Sequence, residues 1–92
     1  MRESAIERYL VEQVAKVGGR AYKWVSPGNR GVPDRIVILP DGFIVFVELK
    51  APGGRLRPEQ KVQRKKIVDM CHPYVLLQSK ADVDHMMTEL GF

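Results

Sequence analysis

An uninterrupted apolar run, Phe43-Ile44-Val45-Phe46-Val47, leads into Glu48-Leu49-Lys50 and is bracketed by Pro40-Asp41-Gly42 and Ala51-Pro52-Gly53-Gly54. A run of strand length between turn signals, rich in β-branched and aromatic residues, reads as a β-strand. A strand that is apolar at every position has no face to give to water. It belongs in the middle of a sheet, with helices packed above and below it. This requirement points to an α/β domain.

The remaining segments supply the partners. Ile6, Leu10, Val11, Val14 and Val17 recur at helical spacing, so residues 3 to 17 are expected to form an amphipathic helix ended by Gly18-Gly19. Arg20 to Val25 reads as a first strand, residues 26 to 31 as a loop, and Arg35 to Leu39 as a second strand. The Pro40-Asp41-Gly42 turn makes the second and third strands an antiparallel hairpin. After the glycine-rich loop, Pro58 suits the first turn of a helix running to about Cys71, with Val62, Ile67, Val68 and Cys71 as its buried side. Tyr74 to Leu77 is a fourth strand, and the helical crossover before it favours parallel pairing with the third. Ser79, with Asp82 three residues on, caps a last helix that carries Val83, Met86, Met87 and Leu90. The order is αβββαβα around a central mixed sheet flanked by helices. No repeat, linker or low-complexity tract divides the 92 residues, of which 45% are hydrophobic, so residues 1–92 read as one domain.

The chemistry concentrates at one end of the hairpin. Side chains alternate along a strand, so Glu48 and Lys50 share a face. Positions equidistant from the turn lie opposite one another, which brings Asp34 of Gly31-Val32-Pro33-Asp34 close to Glu48 or its immediate neighbours. Two carboxylates and an ammonium then share one site. Hard cations such as Mg²⁺ take oxygen ligands and need only one or two protein carboxylates, with Mn²⁺ able to substitute, and the Leu49 carbonyl is a further candidate ligand. Such an ion polarises a phosphate and acidifies a water, while Lys50 orients that water or neutralises developing charge. An isolated E-x-K more often marks the point where a buried strand emerges into water. The upstream Gly-x-Pro-Asp separates this chain from that case.

Gly31-Val32-Pro33-Asp34, Val47-Glu48-Leu49-Lys50, an N-terminal helix with a glutamate and a following helix with Gln60 together resemble the PD-(D/E)xK nuclease superfamily. More narrowly, the chain resembles the VRR-NUC (virus-type replication-repair nuclease) domain over nearly its whole length. The resemblance implies a restriction-endonuclease-like fold, metal ligation by Asp34 and Glu48, a catalytic Lys50, and site roles for Glu7 and Gln60. Where many relatives carry Leu-Ser ahead of the second helix, this chain has Leu56-Arg57. Glu7 has a second reading, because Ser4-Ala5-Ile6-Glu7 also fits a capping box at the helix start.

A net charge of +4 and a pI near 9.5 favour a polyanionic partner. Arg55, Arg57, Lys61, Arg64, Lys65 and Lys66 crowd the segment after the E-x-K motif, with Arg20, Lys23, Arg30 and Arg35 elsewhere. A charge run is usually a solvated helix face, but beside a metal site such residues suit contact with a DNA backbone. His72 and His85 lack zinc-ligand spacing, and Tyr22 and Trp24 read as core residues rather than base-stacking ones. The single Cys71, read as buried filler, excludes an internal disulfide, and the N-terminus lacks a signal-peptide pattern, so a cytoplasmic location without a membrane span is expected.

The reading is a Mg²⁺-dependent DNA endonuclease that leaves, as the resemblance implies, a 5′-phosphate and a 3′-hydroxyl. A domain this small gains stability by pairing, so a homodimer is expected, with the last helix as a candidate contact and branched DNA such as a four-way junction as its preferred substrate. Two readings from other classes are a DNA-binding module that kept the fold without activity, and a basic structural protein with an acidic protein partner.

Overall fold

The computed structural model describes residues 2–92. Helix α1 (Glu3–Lys16) is followed by strands β1 (Arg20–Lys23), β2 (Arg35–Leu39) and β3 (Phe43–Leu49), helix α2 (Pro58–Asp69), strand β4 (Tyr74–Leu77) and helix α3 (Lys80–Glu89). The expected αβββαβα order holds, with β1 shorter than the Arg20–Val25 span. The sheet order is β1-β2-β3-β4, antiparallel except for the parallel β3–β4 pair. None of the helices among the described residues is long and apolar enough to cross a membrane.

Alternation along the strands explains the layering. Val37 and Leu39 of β2, Val45, Val47 and Leu49 of β3, and Leu77 of β4 point to one face. There they form a continuous core with Ile6, Leu10 and Val14 of α1 and Val83, Met86 and Met87 of α3. Helix α2 lies over the opposite face and reaches the sheet through Gln60 and Ile67, its two buried residues. Helices therefore cover one face of β3 from Val45 to Leu49 and the other only toward Phe46 and Glu48, leaving Phe43 and Ile44 exposed where the apolar sequence predicted cover.

Each helix ends in the same way. The N–H two residues past the cap bonds back to the third residue from the helix end, as in Gly19 to Val14, His72 to Ile67 and Phe92 to Met87. The left-handed residue in between is Gly18 in α1 and Gly91 in α3 but Cys71 in α2, at φ 64°. Cys71 is consequently exposed and is not buried filler.

Four further expectations change. Helix α1 begins at Glu3 with Arg2 at the cap position, so Ser4 lies inside the helix and no capping box forms with Glu7. Val62 and Val68 are exposed, because the residues of α2 that meet the sheet are Gln60, Arg64 and Ile67, at i, i+4 and i+7. Tyr22 is exposed on edge strand β1, whereas Trp24 packs on Phe46 with ring centroids 5.5 Å apart. The apolar residues of α3 are consumed by the core of their own chain, which leaves Val83, Met86 and Met87 unavailable as a dimer surface.

Candidate active site

The site stands at the C-terminal end of β3. Leu39 pairs with Phe43 around the Pro40-Asp41-Gly42 turn, and the register runs on to Arg35 opposite Val47. One step further, Asp34 comes opposite Glu48, and its Oδ2 accepts the Leu49 N–H at 2.9 Å. Asp34 is also held from its other side, where its carbonyl accepts the Trp24 N–H at 3.0 Å. The hairpin turn thus sets the spacing of the two carboxylates.

Glu48 is 2% exposed and is the most deeply buried charged residue described. Gln60 Nε2 donates to its Oε2 at 3.3 Å, and Lys50 Nζ lies 3.9 Å from the same oxygen. Gln60 also accepts the Arg57 N–H at 2.8 Å through Oε1, so one side chain satisfies the start of α2 and fixes the glutamate. Gly31, at φ 84°, permits this approach: a Cβ there would lie 2.3 Å from the Glu59 carbonyl oxygen. The chain can pass under the first turn of α2 only as glycine.

Burial pushes the Glu48 carboxyl up to about 8, helped by its contact with Asp34 and opposed by Lys50. Glu3, on the first turn of α1, adds a smaller upward push. Glu48 Oε1 is buried with no hydrogen-bond donor. Two ionised carboxylates cannot bond to each other, so a shared proton, a cation or an ordered water has to satisfy that oxygen.

The donor set fits a hard divalent cation, with Asp34 and Glu48 supplying oxygen and the Leu49 carbonyl at the same strand end. Among the described residues no group of three or more His, Cys, Asp or Glu side chains comes together as a metal cage. Water and substrate phosphate would complete the shell.

Of the expected residues, the structure brings together Asp34, Glu48, Leu49, Lys50 and Gln60. Glu7 sits across the sheet, where its Oε2 takes Arg35 Nε at 3.1 Å. Arg35 also donates to the Ala21 carbonyl, so it is held inside the α1–sheet contact rather than presented to DNA. Arg30, Arg55, Arg57, Lys61 and Arg64 are exposed, with Arg57 paired to Glu59 at 3.2 Å. Two residues whose fields reach Glu48 or Asp34 escaped the sequence reading. Glu3 precedes Glu7 by one helical turn, so an i, i+4 acidic pair was the available signal. Tyr74 reaches the site through the parallel register of β4.

No protein-family model matches the chain. It is 50% identical over 80 residues to "Putative nuclease p44" of Acyrthosiphon pisum secondary endosymbiont phage 1, covering 87% of this chain and 86% of that protein. A solved structure titled "VRR_NUC domain" superposes with a TM-score of 0.88 at 28% identity, over 98% of this chain and 97% of the other. Fold, element order and sequence agree: the chain belongs to the VRR-NUC family of nucleases.

Proposed function

We propose that this chain is a metal-dependent endodeoxyribonuclease whose site is built from Asp34, Glu48, Lys50 and Gln60. The observation that carries this reading is the buried, donorless Glu48 Oε1 beside Asp34, with an ammonium 3.9 Å from the other oxygen of the same carboxylate. A purely structural carboxylate would not be buried against a second one with half its capacity unmet. When bound, Mg²⁺ or Mn²⁺ supplies polarisation of the scissile phosphate and an acidified water.

The protein's own groups supply the rest. Asp34 and Glu48 hold the cation, and Gln60 fixes the rotamer of Glu48. Lys50 orients the attacking water and neutralises charge that develops on the phosphate. The water oxygen bonds to phosphorus as the P–O3′ bond breaks, leaving a 5′-phosphate and a 3′-hydroxyl. Arg30, Arg55, Arg57, Lys61 and Arg64 position the DNA by backbone contact without reading sequence.

The finer reading is a homodimer that prefers branched DNA, because two sites related by a dyad match the approximate two-fold symmetry of a four-way junction. With α3 spent on its own core, the apolar residues left for pairing include Tyr22, Ile38, Ile44, Val62, Val68 and Met70. The decisive experiment incubates the protein with junction and linear DNA of matched length in Mg²⁺, Mn²⁺ or EDTA, with sedimentation at low micromolar concentration. Metal-dependent cutting of the junction by a dimer is expected. Retention of DNA without cutting in any metal refutes the enzyme, and a monomer that cuts both substrates equally refutes the junction preference.

A further inference from the structure

Two buried polar side-chain atoms among the described residues lack a hydrogen-bond partner: Glu48 Oε1 and the Tyr74 hydroxyl. The carboxylate oxygen is explained by a cation site. The phenol is not, since it belongs to no motif and a phenylalanine would fill the same space without burying an unpaired donor.

Its position is informative. In the parallel β3–β4 register Tyr74 pairs with Phe46 and Leu76 with Glu48, so Tyr74 and Glu48 are diagonal neighbours on the α2 face of the sheet. The Arg64 guanidinium lies over the Tyr74 ring, 6.0 Å from its centroid, and holds the ring between α2 and the sheet. Burial raises the phenol far above its usual range, with Glu48 and Asp34 raising it further and Arg64 opposing them. The hydroxyl therefore stays protonated and lies in the field of both carboxylates. Buried polar atoms that face a polar site without protein partners are where ordered water resides.

We propose that Tyr74 is a positioning residue of the cleavage site: its hydroxyl and the Glu48 carboxylate hold one water molecule between them, and that water attacks the phosphodiester. The proposal rests on the nuclease reading above. The phenol contributes orientation and removes no proton. The water's hydrogen bonds to Tyr74 and Glu48 direct a lone pair away from the sheet, toward the phosphate.

Tyr74→Phe deletes the hydroxyl and keeps the ring under Arg64. The expected result is a kcat lower by about tenfold or more, with KM for DNA within about twofold of wild type. Mn²⁺ affinity, followed by titration, stays the same because no ligand is lost, and the melting temperature is unchanged or higher because an unpaired buried donor is gone. A structural hydroxyl predicts the opposite pattern, a lowered melting temperature with kcat retained, and that result overturns the proposal. A crystal structure of the wild-type protein provides a second measurement that does not depend on the variant folding. An ordered water bonded to both Tyr74 Oη and Glu48 supports the assignment, and a direct bond from the hydroxyl to another protein group refutes it. A wild-type protein that cuts no DNA in any metal defeats the nuclease reading itself. An active wild type with a fully active Tyr74→Phe defeats this inference alone.

Discussion

Replacing Glu48 by glutamine should stabilise the metal-free protein, and by an amount that depends on pH. The Glu48 carboxyl titrates at about 8 in the fold against an ordinary 4.5. Below pH 4.5 it is protonated in both the folded and unfolded chains, so the site carries no electrostatic penalty. Between 4.5 and 8 the unfolded chain releases the proton while the folded chain keeps it, and stability falls as pH rises. Above 8 the full penalty is present. At pH 7 the interval of 2.5 pH units from 4.5 corresponds to an upper limit on the order of 3 kcal/mol. Sharing of charge with Asp34 and relaxation around the site reduce this, so about 1 to 3 kcal/mol is the expected gain. Glutamine keeps the shape and accepts from Gln60 through its oxygen, and its amide group can donate to Asp34 as a protonated glutamate would. At about 4–8 °C per kcal/mol for a domain of this size, the melting temperature at pH 7 should rise by at least about 5 °C. The assay is thermal or urea denaturation of both proteins in EDTA at pH 4, 7 and 8.5. The difference should vanish near pH 4 and grow with pH. Added Mg²⁺ should then stabilise wild type and leave the variant unmoved. A Glu48→Gln protein less stable than wild type at pH 8.5, or a difference independent of pH, would falsify the claim that the Lys50 ammonium fails to offset the burial of this carboxylate.

Other expectations follow from the same geometry. Asp34→Ala should weaken Mn²⁺ binding, measured by calorimetry, and abolish cleavage, whereas unchanged affinity would remove Asp34 from the metal site. Lys50→Ala should keep metal and DNA binding and lose kcat, because an ammonium cannot ligate a cation; near-normal turnover would reduce Lys50 to a strand terminus. Gly31→Ala places a Cβ 2.3 Å from the Glu59 carbonyl oxygen in a left-handed backbone, so urea denaturation should show a loss of at least about 2 kcal/mol, and a neutral result would contradict the tight passage under α2. Cys71→Gly relieves the left-handed strain at φ 64° and should raise stability by about 0.5–1 kcal/mol after the added freedom of the unfolded chain is deducted, so a loss would contradict the strain.

Much of this architecture follows from short-range rules. The apolar run at residues 43–47 called for cover on both faces, and the structure provides α1 and α3 on one side and α2 over the Phe46–Glu48 end of the other, with Phe43 and Ile44 left exposed. The pairing of Asp34 with Glu48 was legible because a hairpin register is set by its turn, and Leu39 opposite Phe43 carries that register to the motif. The choice of buried face on α2 was not legible. Apolar periodicity favours Val62 and Val68, yet the helix turns Gln60 inward, because a buried Glu48 on the sheet offers it a partner that no local pattern announces. The same limit explains Glu7, whose side chain is decided by Arg35, 28 residues away, and not by a cap within its own helix. Tyr74 is the furthest from sequence. Parallel strands are registered by the helix that crosses between them and not by a turn, so only the packed crossover decides that Tyr74 shares the α2 face of the sheet with Glu48.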